Sequence, residues 1–436
     1  MPKNERIISA RPARHLVGIG LLSLLAVSTL TAATICVNPG GTSGCKSTIS
    51  AAVAAASAGD VIQVSQGTYA EAVVITKSLS LIAVPGAHPI INAAGLPNGI
   101  FVNGFTAAPT LGISNVLVSG FEVENAKFEG ILVVSGSNVT VIGNHVHDNN
   151  KALDIANGAC PGIPPFETNE GDDCGEGIHL VGSNHSSVVN NESEHNSGGI
   201  LTSDETGTAD HNLITGNSVH DNPYDCGITF ASHPPANAKL PYGVFDNTVA
   251  NNTVTHNGFQ VPGAGAGVGI FAPFPGTRDS GNVVINNDIT DNGLPGVTMH
   301  NHAAAPAPAP GVNMDDNMII GNRISGNAKD TEDAATSGPT GINVFSKAPV
   351  GGTIVSQNTI SDESIAIAFN APAGQISSHL NNFNITGIGV DNIGTGFVDA
   401  KYNWWNCSTG PGTAGCATIV QPGVTFRPWL TDPFTP

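Results

Sequence analysis

The chain has 436 residues, enough for one large or two ordinary domains with a sizeable buried core. Only 11% of the residues are charged and 5% aromatic, and 53 are glycine, which excludes the usual helical and nucleic-acid-binding compositions. A formal charge of −19 opposes DNA, RNA and anionic membranes as partners, and sets a polyanionic substrate against repulsion unless bound metal offsets it.

Residues 1–33 read as an export signal: Lys3, Arg6, Arg11 and Arg14 form a basic start, Leu16 to Leu30 is apolar, and Thr31-Ala32-Ala33 offers small residues for cleavage. The apolar stretch is shorter than the about 20 residues of a spanning helix, so no stable membrane insertion is expected after cleavage. Losing four basic residues and Glu5 takes the charge from −19 to −22. Cysteine usage agrees with an oxidising compartment: Cys36 with Cys45, Cys160 with Cys174, and Cys407 with Cys416 form three local pairs in loop-like sequence. Cys226 is left over and reads as a small buried apolar residue.

Residues 34–90 read as an N-terminal cap with the first coils. The segment 46–59 predicts a helix, with Ser47 or Thr48 as N-cap, Ile49, Val53 and Ala56 on one face, and Gly59 to end it. Strands are predicted at 61–65, 72–75 and 79–84, with Gly67-Thr68-Tyr69 as a turn between the first two.

From 91 to 400 the chain repeats itself. HNLITGNSVHDN at 211–222 returns as VIGNHVHDN at 141, VVNNESEHN at 188, VANNTVTHN at 249, VINNDITDN at 284 and IIGNRISGN at 319, fading at 355–363. The constant member is an Asn: Asn144, Asn191, Asn217, Asn252, Asn287, Asn322 and Asn358. A second Asn follows five residues later, as in Asn149, Asn222 and Asn257. Both read as turn scaffold, because Asn tolerates the left-handed region and bonds nearby backbone. A second element is a Gly before an aliphatic run, at Gly130, Gly177, Gly199, Gly227, Gly269, Gly296 and Gly341. The shortest interval, 22 residues, is one circuit of a β-solenoid with three short strands per turn. Longer intervals are that circuit plus loops.

Alternation then sends every second residue inward. Ile200, Ile228, Ile270, Val297 and Ile342 are expected to form one ladder, and Val146, Val219, Val254, Ile289, Ile324 and Ile360 another. Loops fall at two edges only, after the Asn motif and after the Gly-aliphatic strand, so they should line one face as a binding wall. Residues 401–436 read as a C-terminal cap.

The chain resembles the secreted bacterial right-handed parallel β-helix proteins of the pectin-lyase-like superfamily. CKSTISAAVAAASAGDVIQVSQGTY at 45–69 is similar to the family's amino-terminal cap, and YNWWNCSTGPG at 402–412 with RPWL at 427–430 to its carboxy-terminal end. There Trp404, Trp405 and Trp429 would seal the last coil. The resemblance implies an all-β right-handed parallel β-helix with a helical N-terminal cap and a Trp-rich C-terminal cap. It leaves activity open, since the scaffold carries lyases, hydrolases, epimerases and adhesins. A lyase would want basic residues near its substrate, and Arg278, Arg323 and Lys347 are those near the inferred face. The paired-Asp and GHG elements of polygalacturonases and the DPHD element of alginate epimerases are absent.

Candidate chemistry lies where loops interrupt the repeat. His179, Glu205, His233, His300 and His302 fall on the loop-lined face and are the catalytic candidates; the alternative reading makes them solvated loop polars. Glu170, Asp172, Asp173 and Glu176, with Asp204 and Glu205 nearby, offer oxygen ligands to Ca2+ without EF-hand spacing. The column His147, His220 and His256, interleaved with Asp148, Glu194 and Asp221, reads as solvated decoration. The functional expectation is an exported, monomeric, carbohydrate-associated protein that modifies polysaccharides as a lyase or glycoside hydrolase. The alternative is a non-catalytic surface or adhesion solenoid. No cofactor beyond that Ca2+ site is indicated.

Overall fold

Each coil carries an aliphatic residue at every second strand position and an Asn where the chain must turn. Three short strands per circuit can then close around a dry lumen. The computed structural model describes residues 32–105, 112–150, 175–235, 241–260, 265–273, 275–301, 311–331 and 334–435. Among them, successive circuits stack into three parallel sheets of 14, 11 and 12 strands. The first runs from Thr34–Val37 to Val424–Thr425, the second from Thr68–Tyr69 to Asn382–Asn384, and the third from Val73–Ile75 to Thr418–Val420. Every strand pairs in parallel with its counterpart one circuit away. Thr68–Tyr69 is thus a strand pairing with Ile90 and Ile91, where the sequence suggested a turn.

The inward rows run from circuit to circuit, interrupted in the second sheet by Ser193 between Val146 and Val219. Val118, Val141, Val188, Ile214, Val249 and Val284 stack from the first sheet, and Val146, Val219, Val254, Ile289, Ile324 and Ile360 from the second, all fully buried. In the third sheet the row is Ile200, Ile228, Val268, Val297 and Ile342. The sequence reading slips here by two residues. Gly267 is the counterpart of Gly227 and Gly296, and Ile270 pairs with Phe230 and Met299 in the next inward row. A shift of two keeps a side chain on the same face, so Ile270 is still fully buried. These glycines are needed at a corner: a Cβ on Gly227 would stand 2.3 Å from Val254 Cγ1.

The Asn residues bind circuit to circuit. Asn252 Oδ1 accepts from the backbone N of Asn217 at 2.8 Å and from its Nδ2 at 2.9 Å, while Asn217 Nδ2 also donates to the Val188 carbonyl at 3.0 Å. One side chain thereby satisfies three otherwise orphaned polar groups. The first ladder continues beyond Asn358 through Asn381 and Asn403. The second, from Asn149, ends on Glu363. A third, Asn212, Asn247, Asn282 and Asn317, was not foreseen. The ladder Asn itself is not left-handed. That conformation belongs to the residue before it, Asn190, Gly216, Asn251 or Gly321 in one column and Asp148, His195, Asp221 or His256 in another.

The helix is Ile49–Ala55, with Thr48 as N-cap accepting from Ala51, and Ile49, Ala52 and Val53 in the core. At the other end Trp405 is fully buried edge-on to Phe383, Trp429 is partly buried, and Trp404 bridges to Asn382. Disulfides join Cys36 to Cys45 and Cys407 to Cys416. Cys160 and Cys174 lie outside the described residues. Cys226 is free and buried beside Ala266 and Leu294, and burial pushes its thiol well up, as befits an inert residue. No helix among the described residues is long and apolar enough to cross a membrane.

Candidate functional site

The third sheet is the one flanked on both sides by insertions: its strands follow the second-sheet strand of each circuit and precede the first-sheet strand. Its lumen-averted positions carry the chemistry. Counting from Gly177 and Gly199, His179 and Leu201 occupy the second position, and Val181 and Ser203 the fourth. Such positions ordinarily meet water. Here His179, Ser203 and Glu205 are nearly or fully buried, which overturns the reading of these histidines as solvated polars.

His179 is gripped at both nitrogens. Nδ1 lies 3.1 Å from Glu129 Oε1, and Nε2 lies 2.8 Å from the Ser203 hydroxyl. Glu205 follows two residues after Ser203, and its Oε1 is 3.9 Å from His233 Nδ1. The hydrogen-bonded string Glu129, His179, Ser203 thus spans three successive circuits, and His233 lies on the fourth. Glu129 Oε2 and Glu205 Oε2 are buried without a hydrogen-bond partner.

Burial pushes the Glu205 carboxyl up, the nearby Glu129 adds to the rise, and His179 and Ser203 pull against it. Its neighbour Asp204 is raised to about 7, first by burial and then by Glu205. Asp204 faces the other way, accepting from Ser232 Oγ at 2.8 Å and from the His233 backbone at 2.6 Å. Burial thus shifts two adjacent carboxyls upward, the direction that suits proton donation.

Of the proposed metal ligands, Glu170, Asp172 and Asp173 lie outside the described residues. Glu176 lies with Glu129 and His179, each presenting a ligand atom within 4.8 Å of the others. Two carboxylates and an imidazole fit a borderline divalent ion better than Ca2+, which takes six to eight oxygens. His300 stands apart, three circuits beyond Ser203. It pairs with Asp330 at 2.9 Å and lies edge-on to Phe271 and Phe345. His302 lies outside the described residues. Neither arginine serves the centre: Arg323 pairs with Asp288 on the second sheet, and the Arg278 guanidinium covers Phe245.

Sequence reasoning missed Glu129. The signal was present, because Glu immediately precedes the repeat Gly in FEGILVV and again in GEGIHLV. It missed Ser203 as well, which carries no motif.

A family model described as right handed beta helix region matches residues 95–272. The chain is a right-handed parallel β-helix repeat protein. No curated protein matches its sequence. Among solved structures, the DFA-IIIase of Arthrobacter chlorophenolicus without its lid, in complex with GF2, is 13% identical with a TM-score of 0.54. That match covers 91% of this chain and 99% of the enzyme. The Dettilon tailspike protein is 12% identical with a TM-score of 0.51, covering 85% of this chain. The chain spans 62% of the tailspike's length. At these identities the likeness is one of fold.

Proposed function

We propose that the protein is an exported enzyme that cleaves glycosidic bonds in a neutral glycan at the Glu129–His179–Ser203–Glu205 centre. The observation that carries this reading is a pair of carboxyls in unlike surroundings, Glu205 held towards its protonated form by burial and Glu129 on the imidazole of His179. Glycoside hydrolysis needs one carboxyl to protonate the leaving oxygen and another to meet water or the developing positive charge. Glu205 takes the first role and Glu129 the second. His179 and Ser203 are positioning residues that fix the two carboxyls relative to each other. Glu205 is only 2% exposed, so the scissile bond must be drawn into the site rather than held on its surface.

A neutral substrate follows from charge. At −19 the chain repels polyuronates, and its two best-placed arginines are engaged elsewhere. Export is supported by the basic-then-apolar start of the sequence and by two disulfides. The test is a turnover screen of neutral and acidic polysaccharides and oligosaccharides, with and without chelator, on the native chain, Glu205→Gln and Glu129→Gln. Release of reducing ends from a neutral glycan, lost in both variants, is the expected result. Turnover that survives both substitutions overturns the site. Absence of turnover and binding throughout leaves a non-catalytic surface or adhesion solenoid.

A further inference from the structure

The second sheet carries an ordered pattern that the glycan reading does not use. In one outward column Glu122, His145 and Glu192 stand in register on successive circuits. In the column beside it the order is Glu124, His147, Glu194 and His220. Acid and imidazole thus alternate in both columns, about 4.8 Å apart from circuit to circuit. Farther along, the same columns hold Thr253, Asp288, Thr255 and Thr290. The alternation is confined to a few circuits, whereas mere solvation would be served by any polar residue.

The geometry within the patch is specific. His147 Nε2 faces two carboxylates, Glu122 Oε1 at 3.3 Å and Glu124 Oε2 at 3.9 Å. Its other nitrogen, Nδ1, is held by Asp148 Oδ2 at 3.0 Å. Bonds of 2.0–2.1 Å in a tetrahedral zinc site place ligand atoms about 3.3 Å apart, close to this spacing. A carboxylate on the second imidazole nitrogen is the usual support of a metal-ligating histidine, fixing its tautomer and ring plane. His147 is 14% exposed and Glu122 29%, so the three ligands are anchored while a face stays open to water. The adjacent group of His145, Glu192 and Glu194 repeats the donor set, with Nε2 at 2.8 Å from Glu194 and 4.0 Å from Glu192.

We infer that Glu122, Glu124 and His147, with Asp148 behind, form a binding site for a divalent transition ion of the zinc class, joining two adjacent circuits of the solenoid. One imidazole with two carboxylates selects Zn2+, Cu2+ or Ni2+ over Ca2+ and Mg2+. The site lies on a different sheet from the glycan centre and does not depend on it.

The experiment is calorimetric titration of ZnCl2 into the untagged, metal-stripped native chain at neutral pH, beside His147→Gln, Glu122→Gln and His179→Gln. Saturable zinc binding is expected, unaffected by millimolar Ca2+. It should weaken at least tenfold in His147→Gln and Glu122→Gln, and about tenfold in Asp148→Asn. His179→Gln should keep it. Unfolding curves establish that each variant is folded, and none of the substituted side chains of the patch is in the lumen. Zinc binding that is absent, indifferent to His147→Gln, or lost in His179→Gln instead overturns the assignment.

Discussion

His179 and Ser203 meet at 2.8 Å although 24 residues separate them in the chain. Their contact is diagonal: Ser203 pairs with Val181 and His179 with Leu201 on adjacent strands, and both side chains point away from the lumen. Ser203 also holds down the Glu205 carboxyl that burial raises. Ser203→Ala should therefore raise Glu205 further. In the proposed hydrolysis the alkaline limb of the pH–rate profile moves to higher pH in this variant, with a smaller loss of rate than in Glu205→Gln. An unmoved limb would detach Ser203 from the acid.

Glu205→Gln removes the proposed proton donor without changing shape, and kcat of the proposed hydrolysis should fall by about 10²- to 10⁴-fold. Because Glu205 is raised above the ordinary carboxyl value, the proposed hydrolysis should persist beyond the usual carboxyl range and fall as pH rises through the raised value. Substrates with good leaving groups need less protonation, so they should be the least affected by Glu205→Gln.

Glu363 closes the second Asn ladder, accepting from the Asn327 backbone at 2.9 Å and from its Nδ2 at 3.1 Å. Burial raises its carboxyl to about 7. A folded value above the unfolded one means stability that is full below the ordinary Glu value and is lost as pH rises through about 7. The loss from this group is at most about 3 kcal/mol. Glu363→Gln keeps the acceptor and removes the charge. Urea unfolding of the variant should show a flatter dependence between mildly acidic and neutral pH; an unchanged slope would place the proton elsewhere.

Asn252 and Asn251 are neighbours with opposite duties. Asn252→Ala strips the acceptor from Asn217 and the donor from the Ile214 carbonyl, all buried, at a cost of about 3 kcal/mol or more. Asn251 is left-handed with φ 56°, in the column where other circuits carry Gly216 or Gly321. Asn251→Gly should be close to neutral. Denaturant midpoints of the two variants measure the contrast directly.

Gly267 and Gly269 test the register. A Cβ at Gly267 would meet the Gly296 carbonyl oxygen at 2.6 Å as well as Ile289, whereas at Gly269 it meets the ring of Phe271, which can swing aside. Gly267→Ala should destabilise clearly more than Gly269→Ala in thermal unfolding. The reverse order would restore the register in which Gly269 heads the strand.

The solenoid was legible in the sequence because its determinants repeat. Lumen-facing aliphatics and ladder Asn residues solve the same packing problem in every circuit, so Val219, Val254 and Asn217 announce themselves by recurrence. The slip between Gly267 and Gly269 shows the limit of that signal. Both head a Gly-aliphatic run, a two-residue shift preserves the inward face, and only the pairing of Val268 with Ile228 distinguishes them. The burial of His179 was not legible at all. It sits at an outward position where the alternating pattern predicts water, and sequence carries no record of what lies over a strand. Glu129 and Glu205 were likewise visible as acids but not as partners. The low dielectric that raises Glu205 arises only when the circuits stack. The sequence by itself determined the coil, because a coil is a local rule applied many times. The tertiary structure alone decided the site, because the site is made once, from residues that no local rule brings together.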